Sequence, residues 1–274
     1  MHDNREPLRI DKVGRRFGDV DIIKDLTFDV VDGRVNVIVG PSGCGKSTII
    51  NMLAGFDMPS EGVITIDGKR VSGPGRDRLV VFQESALFPW MKIRANVLFG
   101  PRSNKASRLT AGALNDLLRT VGLQGFDSKY PSQLSGGMQR RAEVARALIN
   151  TPRFMMLDEP FRGLDALTRE LMWEYYNELL EANKMTTLFV TTNIDEAIFL
   201  ADRLIILTNT PAQVRDIIDI NLERPRTLKK TMKEAAFKNY RAVVLKMLYE
   251  ESEKSFADRS DAAVDFLNAL EQHL

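Results

Sequence analysis

The chain carries 274 residues, 44% hydrophobic and 27% charged, so it can bury a substantial core and wholesale disorder is excluded. Its 38 basic side chains balance 37 acidic ones for a net charge of +1, which argues against general affinity for nucleic acid or for an acidic membrane surface. Cys44 is the sole cysteine, and His2 and His273 are the sole histidines, so an internal disulfide, a cysteine-rich zinc site and any mechanism needing an imidazole in the body of the chain are excluded.

In chain order, the apolar pattern predicts strands over 8–13, 20–28, 34–39, 63–66 and 79–82. Helices are predicted over 92–99, 107–121 and 137–150, where the strand signal disappears, with Gly100-Pro101 and Tyr130-Pro131 as punctuation. Strands return over 154–157, 187–191 and 204–207. Three of the runs (VNVIVG, FMMLDE and TLFVTT) are continuously apolar, which fits parallel strands buried on both faces. The pattern therefore predicts an α/β domain with a helical insertion.

The tail changes character. Residues 224–246 carry eight Lys or Arg against one acid, and residues 250–271 carry seven acids against two bases. Val243, Val244, Met247 and Leu248, then Val264, Leu267 and Leu270, have helical spacing. We expect a main domain over 1–222, with a helical subdomain at about 88–150, and a helical extension over 223–274. The simplest role for the extension is a solvated helical face packed on the main domain. No stretch approaches the ~18 apolar residues of a membrane span. The polar start lacks the apolar core of a signal peptide. The expected location is the cytosol, compatible with docking onto a membrane protein.

The chemistry-bearing residues begin with Gly40, Pro41, Ser42, Gly43, Cys44, Gly45, Lys46, Ser47 and Thr48. They contain Gly-x4-Gly-Lys-Ser between a buried strand and a helical run, the context of a phosphate-binding P-loop. The glycines let successive N–H groups curl toward phosphate oxygens, and the helix N-terminus adds its dipole. Lys46 supplies a cation for the β- and γ-phosphates, and the Ser47 hydroxyl can hold Mg²⁺. Cys44 reads either as a small filler or as a thiol activated by the helix N-terminus and shielded by ATP. The apolar strand over 154–157 ends in Asp158 and Glu159. Beside a P-loop, Asp158 is placed to hold Mg²⁺ through water and Glu159 to act as base for an attacking water.

Leu134-Ser-Gly-Gly-Met-Gln-Arg-Arg141, twenty-three residues before Asp158 counted from Ser135, resembles the signature sequence of ATP-binding cassette (ABC) ATPases. Gln83, in Val-Val-Phe-Gln-Glu, resembles the Q-loop, and Leu164-Asp165 the D-loop. Asp195-Glu196-Ala197 and Ala201-Asp202-Arg203 resemble the segment just beyond the H-loop. Phe17 holds the place of the adenine-stacking aromatic, with Phe28 the other candidate. The resemblance spans about residues 8–210. It implies a P-loop fold with a mainly parallel core sheet, an antiparallel β subdomain and a helical signature subdomain. It implies ATP and Mg²⁺ as ligands, with Ser47, Gln83 and Asp158 around the metal. It also implies a head-to-tail pair of cassettes, in which Ser135, Gly136 and Gly137 cap the ATP held by a second ATPase subunit, in a homodimer or a heterodimer.

Gly73-Pro-Gly-Arg-Asp77, Leu87-Phe-Pro89-Trp90, the run over 204–211 and Arg224-Pro225-Arg226 resemble ATP-binding subunits of nitrate, sulfonate and taurine importers. In such a system the partners are transmembrane permease subunits and, through them, a periplasmic or surface substrate-binding protein, with no nucleic acid. The ATPase lies on the inner face of the membrane. An exposed Pro89-Trp90 would suit contact with a permease helix; packing within the helical subdomain is the alternative.

Two places depart from the pattern. Thr192 stands where the H-loop has its histidine, and Arg162-Gly163 replaces the usual Gly-Ala before Leu164-Asp165. A threonine hydroxyl donates one hydrogen bond and carries no charge. Three readings are open: Thr192 still positions the γ-phosphate while Glu159 supports slower hydrolysis, the chain is the degenerate half of a heterodimer, or it binds ATP with little hydrolysis. A soluble cassette in translation or DNA repair is a further reading that the charge balance disfavours.

Overall fold

The computed structural model describes residues 8–103 and 111–271. β1 (Leu8–Phe17) and β2 (Val20–Val30) form an antiparallel hairpin. The chain then enters β3 (Val35–Val39), α1 (Lys46–Ala54), β4 (Glu61–Ile66), the short β5 (Lys69–Arg70) and β6 (Arg78–Val81). The helical insertion contains α2 (Ile93–Val97), α3 (Phe99–Ser103), α4 (Ala111–Thr120) and α5 (Gly136–Leu148). The chain returns as β7 (Phe154–Asp158), α6 (Ala166–Asn183), β8 (Thr186–Thr191), α7 (Ile194–Leu200), β9 (Arg203–Leu207) and β10 (Val214–Asp219), then ends in α8 (Leu228–Thr231) and α9 (Ala235–Glu271).

Two sheets organise the fold. The smaller has the order β2-β1-β4-β5 and is antiparallel. The larger has the order β10-β9-β3-β8-β7-β6. Its five strands β9 to β6 run parallel, and β10 closes one edge antiparallel. The continuously apolar runs are the central strands, as their lack of alternation predicts. Val37, Val39, Met155, Leu157 and Phe189 face one core with α6 and α7. Ile38, Met156, Leu188 and Val190 face the other with α1 and the antiparallel sheet. The helical insertion has its own core, with Ile93, Val97, Leu114, Leu118, Ala142 and Ala145 buried.

Local chemistry sets the helix ends. Gly45 is left-handed at φ 108°, and a Cβ there would meet Ile22 Cγ2 at 3.0 Å. α1 stops at Gly55, also left-handed, whose N–H reaches Met52 O. Ser135, Asp165 and Asn193 cap α5, α6 and α7 with side-chain oxygens accepting from Met138 N, Thr168 N and Glu196 N.

The predicted helix over 92–99 divides at Leu98, and Gly100-Pro101, expected as punctuation, lies within α3. Proline is tolerated in a first helical turn because that N–H has no intrahelical partner. Of the helix predicted over 107–121, residues 107–110 lie outside the described residues. The tail is helical and shares the main core: Phe237 and Val244 are buried with Phe199 and Leu200. Arg226, 2% exposed, donates to the carbonyls of Phe199 and Ala201, and burial pushes its pKa down to about 10. Arg224 pairs with Asp202 and Glu181 at 2.8 and 2.7 Å.

Candidate nucleotide site

β3 delivers the chain to the P-loop at its C-terminal end, where parallel sheets present their ligand sites. Lys46 is buried, and its Nζ donates to Gly40 O at 3.0 Å and Pro41 O at 2.7 Å. Ser47 is exposed on the first turn of α1, while Thr48 is half-buried. Cys44 is 1% exposed and its thiol is pushed up by burial. The structure therefore favours the filler reading over an activated thiol.

Asp158 ends β7, buried beside α1. Burial raises its pKa, opposed by a hydrogen bond with Ser47, and Oδ1 has no hydrogen-bond partner. A buried carboxylate oxygen left without a donor, next to a hydroxyl, fits a hard divalent cation. Glu159 comes next at φ 41°, its N–H donating to Val190 O at 2.9 Å. Its carboxylate is paired with Arg162, Oε2 to Nη1 at 3.1 Å. Strain at such a position accompanies a side chain whose direction matters.

The first three residues of the P-loop and Glu159 border a cavity of about 520 Å³, whose lining does not include Lys46, Ser47, Gln83 or Asp158. Gly40, Pro41, Ser42, Glu159, Arg162 and Thr192 line it. Thr191 and Asn193 are engaged, accepting from Asn193 N and Glu196 N. Thr192 between them is exposed, and its hydroxyl has no partner among the described residues. Glu196 reaches the same cavity although 3% exposed. Its carboxylate accepts from Trp173 Nε1 at 2.9 Å, and burial pushes its pKa up to about 7.

Other predicted residues lie apart from this cavity. Phe17 is 50% exposed at the tip of the β1–β2 hairpin, under the Arg15 guanidinium at 4.3 Å from the ring centroid. Phe28 is 4% exposed in the core, so of the two aromatics Phe17 is the one open to a ligand. Gln83 is half-buried after β6, and its carbonyl accepts from Arg140 Nη2 of α5 at 2.5 Å. Ser135 and Gly136 are exposed at the start of α5. With the buried Gly137 they are absent from the lining of the P-loop cavity. Trp90 is 71% exposed, beside a groove of about 620 Å³ lined by Val81, Phe82, Phe88, Phe99 and Arg146.

One wall of the site has no counterpart among the sequence motifs. Leu245, Leu248, Tyr249 and Ser252 of α9 line the P-loop cavity. Their spacing marks one helix face, but nothing in that spacing says which loops the face meets. Arg241 of α9 also pairs with Asp195 at 2.7 Å.

A strand, P-loop and helix at the end of a parallel sheet, with a strand-end acidic pair alongside, define a P-loop nucleoside triphosphatase. Similarity to known proteins carries the assignment further. A family model described as "ABC transporter" matches residues 23–162. The nitrate import ATP-binding protein NrtD of Synechococcus elongatus is 37% identical, over 88% of this chain and 91% of that protein. The taurine import ATP-binding protein TauB of Jannaschia sp. is 38% identical, over 93% and 98%. A dimeric post-hydrolysis structure of the ATP-binding cassette MJ0796 with ADP and Pi superposes with a TM-score of 0.66 at 26% identity, covering 79% of this chain and all of that one. This chain belongs to the ABC transporter family, as an ATP-binding subunit. No helix among the described residues is long and apolar enough to cross a membrane.

Proposed function

We propose that this chain is the ATP-hydrolysing subunit of an importer for a small anion, seated on transmembrane permease subunits at the inner face of the membrane and served through them by a substrate-binding protein. One observation carries the ATPase reading: P-loop backbone, Glu159 and Thr192 meet in a single cavity. The substrate class rests on likeness to the nitrate and taurine import proteins. The ATPase domain extends to residue 222, and the tail after it, helical over Leu228–Thr231 and Ala235–Glu271, is an extension seated on it through Phe237 and Val244.

In this reading the N–H groups over 40–48 hold the phosphates, and Lys46 turns from the Gly40 and Pro41 carbonyls toward them. Ser47, Asp158 and Gln83 would hold Mg²⁺. The chemistry it supplies is neutralisation of charge on the phosphate oxygens. Glu159 accepts a proton from the attacking water as the water oxygen bonds to the terminal phosphorus. The bond from that phosphorus to the bridging oxygen breaks, and ADP and phosphate leave. Thr192 offers a hydroxyl hydrogen bond to the terminal phosphate, and Phe17 stacks on adenine. Ser135, Gly136 and Gly137 serve the ATP of a second cassette, a reading supported by the exposure of Ser135 and Gly136 at the N-terminus of α5. The groove beside Trp90 receives a permease helix. Arg140 joins the signature helix to the Q-loop through the Phe82 and Gln83 carbonyls, so movement at one is felt at the other.

Purification with the native permease, then ATPase assay against candidate anions, tests the reading. ATP turnover stimulated by a small anion supports it. Turnover that is absent, or indifferent to Lys46→Ala, contradicts it.

A further inference from the structure

Arg162 stands three residues beyond Glu159 and is the one ion-pair partner of that carboxylate among the described residues. The pair is unequal. The Glu159 side chain is 11% exposed and that of Arg162 59%. Glu159 is placed by its backbone, through the bond to Val190 O, whereas the Arg162 guanidinium is exposed and has the Glu159 carboxylate as its partner. Both line the cavity that contains Gly40, Pro41, Ser42 and Thr192.

The cavity wall carries one exposed cation, Arg162, and one place lacking charge, Thr192. Lys46 is absent from the lining and, in the ATPase reading, is committed to the phosphates held by the P-loop. Arg169, also at the wall, donates Nη2 to Leu164 O at 2.9 Å. Thr192 brings only a hydroxyl. A carboxylate engaged by a guanidinium is not free to take a proton from water. A terminal phosphate offers more negative charge and more acceptor oxygens than a carboxylate, in a geometry that suits a guanidinium fork.

We propose that Arg162 is a two-position switch, holding Glu159 while no terminal phosphate is present and passing to the terminal phosphate of ATP when the P-loop fills. The move supplies the cation missing at Thr192 and frees Glu159 for water. ADP has no γ-phosphate, so after hydrolysis Arg162 returns to Glu159. The proposal rests on the ATPase reading and adds to it a residue that distinguishes ATP from ADP.

The test compares the wild-type full chain with Arg162→Ala, Arg162→Lys and Lys46→Ala. The readouts are affinity for a non-hydrolysable ATP analogue, affinity for ADP, and kcat and KM for ATP in the assembled transporter. Arg162→Ala is expected to lose about tenfold of the preference for the analogue over ADP, the scale of one charge-assisted contact. ADP affinity stays unchanged and kcat falls. Arg162→Lys retains part of the preference, since it keeps the charge but loses the fork. Thermal melting checks that each variant folds. An unchanged preference in Arg162→Ala overturns the proposal, as does a rise in its kcat, which would make Arg162 a restraint alone. If Lys46→Ala binds the analogue as wild type does, the ATPase reading fails and the switch with it. If Lys46→Ala loses binding while Arg162→Ala changes nothing, the switch alone fails.

Discussion

Glu196 offers a quantitative test of how the cavity wall is built. The carboxylate is enclosed in the first turn of α7, accepting from Trp173 Nε1 at 2.9 Å. Burial is the largest influence and pushes its pKa from 4.5 up to about 7, the nearby Glu159 adds to the rise, and Thr191, Trp173 and Arg169 oppose it. In the unfolded chain the group titrates near its ordinary value. Between the two pKa values the folded protein holds more protons than the unfolded one, so its stability falls as pH rises. The contribution is fully present below the unfolded pKa and is lost as pH passes through about 7. A shift of this size corresponds to about 3 kcal/mol. Glu196→Gln removes the titration while leaving an oxygen to accept from Trp173. Chemical denaturation of both proteins at steps between about pH 5 and pH 8 isolates the term, because contributions common to both cancel. The wild type is expected to lose about 2–3 kcal/mol relative to Glu196→Gln over that range. A flat difference curve, or one of opposite slope, would refute the reasoning and place Glu196 in water or in a stronger ion pair.

The same geometry sets three further outcomes. Phe237→Ala should lower stability by about 3–5 kcal/mol, as for other large aromatic truncations in a core; a melting curve matching wild type would show the tail to be separable. Cys44 should resist a thiol reagent until denaturant opens the fold, because it is enclosed and its thiol is pushed up by burial; rapid native labelling would contradict this. Thr192→His should raise turnover, measured as kcat in the assembled transporter, and an unchanged rate would show that the wild-type site, with its Thr192 hydroxyl and Arg162, already suffices.

Much of this site is legible in the sequence because its parts are local. The P-loop is nine consecutive residues between a strand and a helix, and Asp158-Glu159 end a continuously apolar strand. Their chemistry depends on backbone curl and strand position, which short motifs specify. The start of α5 at Ser135 is local in the same sense, whereas α6 and α7, capped by Asp165 and Asn193, are absent from the predicted helices. β10 escapes a sequence reading, since its antiparallel pairing at the sheet edge depends on β9 rather than on its own pattern. The α9 wall escapes it too. Leu245, Leu248, Tyr249 and Ser252 show a helix face, but their meeting with Pro41 and Ser42 is decided by tertiary packing. Arg162 is visible as an unusual residue, whereas its pairing with Glu159 requires the turn after β7.

Phosphate release by the chain assembled with its permease, in wild type and in Glu159→Gln, tests the central claim most directly. The account predicts steady ATP-dependent release by the wild type and a fall of about 10²- to 10⁴-fold in the variant, the usual scale for loss of a general base, with ATP still bound. Release by Glu159→Gln at close to the wild-type rate would contradict it.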